Sequence, residues 1–597
     1  MCGFTGVISL ESINNENTKD SNQFSLCRGP DNQKNLTGSC GKYNYDLWFN
    51  RLSIIDLSEK ANQPMKSYIS DSIIMFNGEI YNSEYLRNKI IGKKYEFTTS
   101  HSDTETLLAG LEIFGIEFIE QIDGQFSIFY WNKRLNKIYL IKDRLGQKPL
   151  YFSISKNELL FASNKKSLLR MKKNLNINLN SIHQYIAYGV VFSPNTIYEN
   201  IRKVIPGTYI EIDYKSDIFQ QKDITYWKPE NYLDDKSFNQ DEFIEIFKES
   251  VKKRLISDVP IANFLSGGID STSIVKCLSE IDADVNTFSV IVDKEDINEK
   301  KYIDQVTQKY NTNHNEVFVK SSISDRLVRE ALSSMDEPYG DPSIVPSYEL
   351  SKLISSKFKV AISGDGGDEL LGGYLRMKNH LIKKNMFSNN LSRVYKYYPA
   401  IFGTGANLRS KSLDFNEAYL AYLEDEKFLN YLFEKSIDSN IRINLYDLED
   451  NYKSILQNEY SYYLSDQMMF KVDRASMANS LEVRSPLVDN KLIEYIFSHT
   501  SEYIGTHFQK LPLYKYLETD FDKNFLNRPK QGFVFDYKNW IFDNFDLVID
   551  LTSNNQIDNL IDVDKLKRLK NYKTRINSLR IWRVFVLANY LDSTRTL

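Results

Sequence analysis

The sequence predicts two domains of different architecture, an α+β domain over residues 1–212 and an α/β domain over 241–597. Short runs of β-type residues separated by Gly, Asn and Asp, such as DSIIMFNGEIY, GQFSIFYW and KIYLIKD, indicate the first domain. Apolar strand-like runs that alternate with helical patterns, such as VPIANFL before STSIVKCLSEI, indicate a parallel sheet in the second. The region after 375 is mainly helical in pattern, and the polar segment 213–240 is the expected linker.

Composition argues against several classes of protein. The chain of 597 residues has a net charge of −4, so it lacks the basic excess typical of nucleic-acid-binding proteins. Its four cysteines include no CxxC pair, which argues against a disulfide framework and a structural zinc site. No apolar stretch reaches about 18 residues, and the start MCGFTGVISL lacks the basic region of a signal peptide. We therefore expect a cytoplasmic protein with neither a nucleic-acid nor a membrane partner.

Cys2 directly follows the initiator Met1. If Met1 is removed, Cys2 carries a thiol and a free α-amino group, whose pKa of about 7.7–8.0 suits a general base for the thiol. Position alone favours the plainer interpretation, a small residue at a frayed chain end. The segments around it in the sequence decide between the two.

Those segments form an ordered series: MCGFTG, RGPD at 28–31, RLSIID at 51–56, NGEIYN at 77–82, SDTE at 102–105, DGQFSIF at 123–129 and KDRLGQKPLYF at 142–152. In this order and spacing they resemble the glutaminase domain of class II glutamine amidotransferases, which are N-terminal-nucleophile hydrolases. The resemblance implies a sandwich of two sheets between two helical layers (αββα) and glutamine as the ammonia donor.

The residue types suit the recognition of glutamine. The planar fork of Arg51 fits a carboxylate, and Asp103 offers a carboxylate to an ammonium group. The resemblance makes Cys2 the nucleophile, with the Asn77 side chain and the Gly78 backbone N–H as oxyanion donors. The glutamine-binding residues that it implies are Arg51, Leu52, Ser53, Ile54, Ile55, Asn77, Gly78, Glu79 and Asp103.

Plainer alternatives remain for some of these positions. Arg51 and Asp103 could form surface ion pairs, and Asn77-Gly78 alone reads as a hairpin turn. The chain also departs from the family at Asn164, where an acidic residue is usual near the domain interface. That change could alter the passage of ammonia.

SGGIDS at 266–271 lies between an apolar strand-like run and a helical pattern. A Gly-containing turn that opens a helix directs backbone N–H groups at an anion. The segment is not the phosphate loop of Walker-type NTPases. It resembles the SGGxDS loop of ATP pyrophosphatases, which holds the pyrophosphate released when ATP adenylates a carboxylate.

A second cluster, ISGDGGDELLGGY at 362–374, follows the strand-like run KFKVA. Carboxylates that meet ATP phosphates suit Mg²⁺, and the resemblance makes Asp270 and Asp368 its ligands. It also implies catalytic roles for Asp365, Tyr374 and Lys530, the last in RPKQGF at 528–533. Leu265 and Val290 could equally be plain strand core. The ATP-binding residues that the resemblance implies are Leu265, Ser266, Gly267, Gly268, Asp270, Ser271, Val290, Ser363 and Gly364.

The segments MDEPYGDPSIVPSYEL at 335–350 and VDRASMANSLEVRSPLVD at 472–489 extend the resemblance to glutamine-hydrolysing asparagine synthetases, from residue 2 to about 540. Only 380–455 matches nothing that we recognise. The family implies that aspartate is activated by ATP and Mg²⁺ as β-aspartyl-AMP and then amidated by ammonia that travels through an internal tunnel. It is also compatible with a homodimer.

Three alternatives stay open at the level of sequence. The same machinery could amidate another carboxylate, such as a sugar acid in polysaccharide biosynthesis. The adenylating domain also resembles that of β-lactam synthetases, although those relatives lack the working amino-terminal Cys. A non-catalytic binding protein of the same ancestry is the third alternative, and the complete sets of residues at both sites count against it.

Overall fold

The computed structural model describes residues 2–172, 175–215, 218–292, 299–319, 323–382, 389–411, 415–433, 442–500, 510–528, 535–554, 557 and 560–595. Two six-stranded antiparallel sheets form the amino-terminal part. Their strands are β1 (Cys2–Ser9), β2 (Asn32–Cys40), β3 (Tyr43–Arg51), β4 (Met65–Lys66), β5 (Ile73–Ile80), β6 (Gly124–Asn132), β7 (Lys137–Lys142), β8 (Tyr151–Ile154), β9 (Glu158–Ala162), β10 (Arg202–Lys203), β11 (Thr208–Asp213) and β12 (Gln220–Thr225).

The first sheet has the order β10-β8-β9-β1-β3-β2 and the second β12-β11-β7-β6-β5-β4. Alternation along β5 explains how the second sheet packs on both faces, because successive side chains of a strand point to opposite sides. Ile73 and Met75 pack between the sheets, while Ile74 and Phe76 pack under helices. Between the sheets Phe129 and Phe161 stack at 4.2 Å.

Helices cover the outer faces of both sheets. They are α1 (Asn15–Asn22), α2 (Ser83–Ile91), α3 (Asp103–Phe114), α4 (Lys165–Met171) and α5 (Leu179–Tyr188), with short 3₁₀ turns at Gln23–Arg28, Glu59–Ala61, Ile116–Gln121 and Pro229–Tyr232. The predicted αββα sandwich is therefore confirmed. Strand β12 lies inside the polar segment 213–240 and pairs with β11, so part of that segment belongs to the second sheet.

The carboxy-terminal part contains a five-stranded parallel sheet, as predicted, in the order β15-β14-β13-β16-β17. The strands are β13 (Ile261–Phe264), β14 (Asn286–Val292), β15 (Asn313–Val319), β16 (Val360–Ile362) and β17 (Glu482–Arg484). The chain proceeds from β13 toward one edge and then returns to the other side of β13 with β16. Ligands of open α/β sheets bind at such a reversal, outside the carboxyl ends of the strands.

The helices of this part begin with α6 (Gln240–Lys253), α7 (Ile269–Glu280), α8 (Lys300–Lys309), α9 (Asp325–Ser333), α10 (Ile344–Ile354) and α11 (Gly367–Leu370). The further helices of this part all follow β16: α12 (Leu375–Ile382), α13 (Asn389–Lys396), α14 (Ala406–Arg409), α15 (Phe415–Leu423), α16 (Glu426–Leu432), α17 (Asn451–Asn458), α18 (Phe470–Met477), α19 (Asn490–Ser498), α20 (Leu511–Leu517), α21 (Lys523–Leu526), α22 (Tyr537–Asp543), α23 (Phe545–Ser553), α24 (Val563–Lys570) and α25 (Arg575–Thr594). A π-helical segment, Glu459–Met469, joins α17 to α18, and short 3₁₀ turns lie at Ala400–Phe402 and Pro486–Val488.

The described part of the segment 380–455, which the sequence left without an interpretation, is mainly helical, whereas residues 442–450 within it are not. Among the described helices none is both long enough and apolar enough to cross a bilayer.

Candidate active sites

Cys2 is the first residue of β1 and is buried. In the pairing of β1 with β3 it stands opposite Arg51, and its backbone N–H donates to Asn77 Oδ1 at 3.0 Å. Its carbonyl oxygen accepts from Arg28 Nε at 3.1 Å. Burial raises the pKa of the Cys2 thiol, and the Leu52 backbone N–H and the Arg51 charge oppose that rise only in part.

Gly78 lies near the end of β5, beside Asn77, where the backbone runs against the neighbouring strand β6. A Cβ atom at Gly78 would lie 2.0 Å from the Gln125 carbonyl oxygen and 2.7 Å from Phe126 Cα. Only glycine therefore fits this close approach of the two strands. Asn77 is fully buried, and its Nδ2 donates to Ser127 Oγ at 3.4 Å.

A pocket opens beside Cys2. Its lining includes two buried carboxylates, Glu79 and Asp103, the latter in the first turn of α3. Burial raises the pKa of both carboxyls; at Glu79 the charge of Arg484 opposes the rise in part, and the nearby Asp103 adds to it. A positively charged ligand group would oppose that rise further. The full lining is Cys2, Arg51, Leu52, Ile54, Ile55, Ala61, Gln63, Phe76, Gly78, Glu79, Ser102, Asp103 and Thr104.

The structure thus brings together most of the residues predicted to bind glutamine. Ser53 and Asn77 are not part of the lining; the Ser53 backbone N–H instead donates to Asp31 Oδ2 at 2.7 Å. Arg51 lines the pocket, yet its terminal nitrogens already donate to protein oxygens. These acceptors are Ser58 O at 2.8 Å, Asn62 Oδ1 at 2.7 Å, Ile55 O at 3.2 Å and Asp56 O. In this state Arg51 organises the loop after β3, and a carboxylate ligand would compete with those bonds.

The second site lies at the carboxyl ends of β13 and β16, which are neighbouring parallel strands. The loop 266–268 after β13 leads into α7, with Gly267 at a positive φ of 66°. Ser266 Oγ accepts from the Gly268 backbone N–H at 3.3 Å and lies 3.3 Å from Ser271 Oγ. The loop after β16 packs directly on it, because a Cβ at Gly364 would lie 2.8 Å from Asp270 Cβ. The two predicted nucleotide loops therefore form one site.

Asp270 and Asp368 meet at this site, and the ammonium group of Lys510 bridges them. Lys510 Nζ lies 2.7 Å from Asp368 Oδ1 and also contacts Asp270 Oδ2. Burial opposes the charge of Lys510, but the two carboxylates outweigh it and raise the pKa of the ammonium. Glycines leave room around both acids, since Cβ atoms at Gly367 and Gly373 would lie 2.5 and 2.0 Å from their oxygens.

These residues fit a magnesium ion. Mg²⁺ is commonly held by one or two carboxylates together with phosphate oxygens and water, and two carboxylates already share a cation here. The described residues contain no cluster of three or more His, Cys, Asp or Glu side chains arranged to hold a metal. The remaining ligands would thus come from the nucleotide and from water.

The residues predicted for acyl activation surround the same loop. Ser363 Oγ donates to Asp365 Oδ2 at 2.8 Å, and Tyr374 Oη donates to Glu369 Oε1 at 2.5 Å. Leu265 is buried at the end of β13, and Val290 lies in the adjacent β14. Lys530 falls outside the described residues. Asn164, the departure from the family pattern, caps α4 and donates through Nδ2 to Phe24 O at 2.9 Å.

Sequence reasoning missed three charged residues at these sites, namely Lys510, Glu482 and Arg484. Arg484 Nη2 donates to Glu79 Oε2 at 2.9 Å, and its Nε donates to Glu482 Oε1 at 2.6 Å. Burial would raise the pKa of the Glu482 carboxyl, but the positive charges of the amino terminus, Arg484 and Lys148 lower it to about 2. The only sequence signal was that Glu482 and Arg484 belong to the long segment 472–489.

Comparison with known proteins agrees with this two-site arrangement. A family model described as a glutamine amidotransferase domain matches residues 1–227, and one described as asparagine synthase matches residues 242–592. The chain belongs to the asparagine synthase family. It is an enzyme in which a glutamine amidotransferase domain precedes an asparagine synthase domain.

Relatives within the family extend over the full length. Asparagine synthetase [glutamine-hydrolyzing] 1 of Bacillus subtilis (strain 168) is 29% identical over 618 residues, covering 98% of this chain and 96% of the relative. Asparagine synthetase [glutamine-hydrolyzing] 2 of the same organism is 26% identical, covering 90% and 72%. Among solved structures, the glutamine phosphoribosylpyrophosphate amidotransferase from B. subtilis is similar over 61% of this chain and 81% of its own, at 11% identity and a TM-score of 0.29.

Proposed function

We propose that the enzyme converts aspartate to asparagine, with glutamine as the ammonia donor and ATP as the activating cosubstrate. The observation that carries the proposal is the presence of two sets of reactive groups in one chain. A buried cysteine lies beside a pocket with two carboxylates, and two loops with paired carboxylates meet at the reversal of a parallel sheet. Membership of the asparagine synthase family supports this assignment.

In the first half-reaction, the α-amino group of Cys2, free once Met1 is removed, takes the thiol proton as the sulfur attacks the side-chain amide carbon of glutamine, and it returns that proton to the leaving nitrogen. Ammonia leaves, and water then hydrolyses the thioester to glutamate. Asn77 and the Gly78 backbone N–H would donate to the oxyanion, a contribution of about 10²–10³ in rate for each donor. Glu79 and Asp103 would attract the ammonium group of glutamine, and Arg51 its carboxylate.

In the second half-reaction, a β-carboxylate oxygen of aspartate attacks the α-phosphorus of ATP and pyrophosphate leaves. Backbone N–H groups and hydroxyls of the loop 266–271 would hold the phosphates. Asp270 and Asp368 would hold Mg²⁺, which neutralises phosphate charge when bound. Lys530 is proposed to stabilise the charge that develops on the phosphorus oxygens. Ammonia then attacks the acyl carbon of β-aspartyl-AMP, and asparagine forms as AMP leaves.

The two half-reactions take place in different domains, so ammonia must reach the acyl-adenylate without being lost to water. We propose an internal passage between the domains for it. An uncoupled enzyme would release free ammonia in excess of the asparagine formed, and the ratio of the two products measures this directly.

The decisive experiment compares the enzyme with a Cys2→Ala variant. With ATP, Mg²⁺, glutamine and aspartate, the enzyme should form asparagine and AMP in equal amounts. The variant should lose glutamine-dependent synthesis and keep synthesis from added ammonium, while a Cys27→Ala control keeps both. Absence of aspartate-dependent AMP from the unaltered enzyme would refute aspartate as the acceptor and direct the search to other carboxylates.

A further inference from the structure

Arg484 connects the two active sites through a short, fully buried strand. Its side chain reaches Glu79 in the wall of the Cys2 pocket at 2.9 Å, and both side chains are at most 3% exposed. The remaining nitrogens of Arg484 are also committed. Nε donates to Glu482, and Nη1 donates to the carbonyl oxygens of Arg254 at 2.9 Å and Ile256 at 2.6 Å. The guanidinium is therefore held both by Glu482 of its own strand β17 and by the backbone that follows α6, so a shift of the guanidinium would disturb both.

The backbone of the same strand holds the nucleotide loop. The Arg484 carbonyl oxygen accepts from the Ser363 backbone N–H at 2.9 Å, immediately after the pairing of β16 with β17. The next residue, Ser485, donates through Oγ to the carbonyl oxygens of Ser363 at 3.3 Å and of Asp365. A shift of β17 would thus displace the loop that is proposed to contact ATP and the acyl group.

Apolar packing joins the same two regions. Leu52 and Ile54, which line the glutamine pocket, pack against Val360 of β16 and against Met477. The wall of the pocket and the sheet that carries the nucleotide loop therefore form a single packed unit. Packed contacts of this kind transmit small displacements, because protein interiors are dense and deform little.

A ligand in the Cys2 pocket would act on this packed unit through the charges of Glu79 and Arg484. Glu79 is a buried carboxylate beside Asp103, and Arg484 is its ion-pair partner. The ammonium group of glutamine would bring a second cation to the same pair of acids. Glu79 would then be shared between Arg484 and the ligand, so the position of Arg484 would depend on whether the pocket is filled.

We propose that Arg484 is a positioning residue that couples the two sites, so that glutamine and the nucleotide each change the affinity for the other. This inference depends on the proposed function for the identity of the two ligands. Because such coupling is reciprocal for binding free energies, one measured ratio is sufficient to detect it. We expect a ratio of about fivefold or more, the lower end of couplings typical between protein sites.

The test measures glutamine binding by calorimetry in the Cys2→Ala background, which prevents hydrolysis. The dissociation constant of glutamine is determined with and without Mg²⁺, aspartate and α,β-methylene-ATP. This analogue cannot transfer its adenylyl group to aspartate. The ratio should be about fivefold or more in Cys2→Ala and should approach one when Arg484→Met is added. A persistent ratio in the folded double variant, or a ratio of one in Cys2→Ala itself, would overturn the inference.

Controls separate coupling from a general loss of structure. Lys165→Met removes an equally buried ion pair between the domains, Lys165 to Glu337 at 2.6 Å, whose residues do not line the Cys2 pocket. This control should keep the ratio within about twofold of its parent, as expected for a site outside the coupling path. Arg484→Lys keeps the positive charge but loses the planar guanidinium group, so its ratio should lie between one and that of its parent.

If Arg484→Met does not fold, Glu79→Gln tests the same contact from the other side. The substitution itself changes glutamine affinity, but this change cancels in the ratio of dissociation constants measured with and without the nucleotide mixture. That ratio should again approach one, and an unchanged ratio would refute the role of the Glu79–Arg484 pair. If the unaltered enzyme hydrolyses no glutamine, the proposed function itself is refuted, independently of any coupling through Arg484. An enzyme that hydrolyses glutamine but shows no coupling refutes the role of Arg484 alone.

Discussion

At the scale of single residues, the pocket beside Cys2 contains a position, Gly78, that tolerates no side chain. The backbone of Gly78 lies against Gln125 and Phe126 of the adjacent strand, and neither backbone can withdraw without breaking the pairing of β5 with β6. The same residue is the proposed backbone donor to the oxyanion. Shape and chemistry thus impose the same requirement at this residue.

Gly78→Ala should lower glutamine hydrolysis by at least about 10²-fold, the typical effect of losing one oxyanion donor. Synthesis from added ammonium should remain within severalfold of the parent, because the second site is untouched. A glutaminase assay and an ammonium-dependent AMP assay check the two expectations. Gly92→Ala is the matched control, since its Cβ would lie no closer than 3.4 Å to its nearest neighbour. Full glutaminase activity in Gly78→Ala would contradict the packing argument.

The ammonium group of Lys510 lies between the two carboxylates that are proposed to bind Mg²⁺. Its ammonium group neutralises Asp270 and Asp368 in the absence of ligand. Lys510→Gln should therefore bind Mg²⁺ several times more tightly without nucleotide, because two carboxylates then lack their counter-ion. Calorimetric titration with Mg²⁺ alone checks this expectation. The control is Lys253→Gln, which removes a cation from Asp123 in the other part of the chain. Weaker or equal binding by Lys510→Gln would show that Lys510 does not compete with the metal.

The motifs predict candidate residues for the chemistry, whereas the distant partners of those residues could not be read from the sequence. Cys2, Gly78 and Asp270 stand in short patterns whose chemistry can be recognised. Lys510 meets Asp270 across 240 positions, and Arg484 meets Glu79 across 405. No local periodicity encodes such contacts, since the first depends on how distant elements pack within the second domain and the other on how the two domains pack. The hydrogen bonds that occupy Arg51 were missed for a related reason, as they depend on the path of a loop.

At the scale of elements, β17 departs from the pattern of a buried strand. Buried strands of parallel sheets are usually apolar runs. Strand β17 has only three residues and lies at the edge of its sheet, yet it is buried and two of its residues, Glu482 and Arg484, are charged and 0% exposed. The charges are tolerated because they pair with each other and with Glu79. The sequence predicted β13, β14 and β16 from their apolar runs, and it gave no such signal for β17.

The charged strand gives stability a defined dependence on pH. The pKa of Glu482 is about 2 in the folded chain against an ordinary value of 4.5. A depressed carboxyl pKa stabilises the fold above pH 4.5, and that contribution is lost as the pH falls from about 4.5 to about 2. Its size is on the order of 3 kcal/mol.

Glu482→Gln should therefore be less stable than the parent at pH 7, and the difference should shrink as the pH falls below 4.5. Urea unfolding at a series of pH values checks the expectation. Asp71→Asn is a suitable control, because Asp71 forms an ion pair with Lys66 at the surface, where both side chains are more than half exposed. A difference that stays constant down to pH 3 would show that Glu482 is not the titrating group.

At the scale of the whole molecule, buried ion pairs join the two domains at several places. Arg28 binds Asp473 through two bonds of 2.9 Å, with side-chain exposures of 5% and 2%. Arg474, next to Asp473, donates to Asp336 of its own domain at 3.1 Å and across the interface to Tyr151 Oη at 3.0 Å. The fold class and the order of the domains followed from sequence pattern. This polar interface did not, because each domain taken alone would expose these charges to water.

The interface charges should matter more to stability than ion pairs at the surface. Arg28→Met leaves Asp473 buried with weaker compensation, so we expect a loss of about 3 kcal/mol or more in the free energy of unfolding. Arg202→Met removes an exposed pair with Asp223 at 3.1 Å, where both side chains are more than one third exposed, and should cost less than about 1 kcal/mol. Urea unfolding of both variants at one pH and salt concentration gives the comparison.

Arg28 also donates to the carbonyl oxygen of Cys2, so its loss has a functional consequence. Arg28→Met should lower glutamine-dependent synthesis more than synthesis from ammonium, since the residue that it would displace, Cys2, is the proposed nucleophile of the first site. Equal losses of both activities would mean that the variant merely loosens the fold. Equal stabilities of Arg28→Met and Arg202→Met would show instead that the buried pair contributes no more than a surface pair, and that apolar packing such as that of Leu52 and Ile54 holds the domains together.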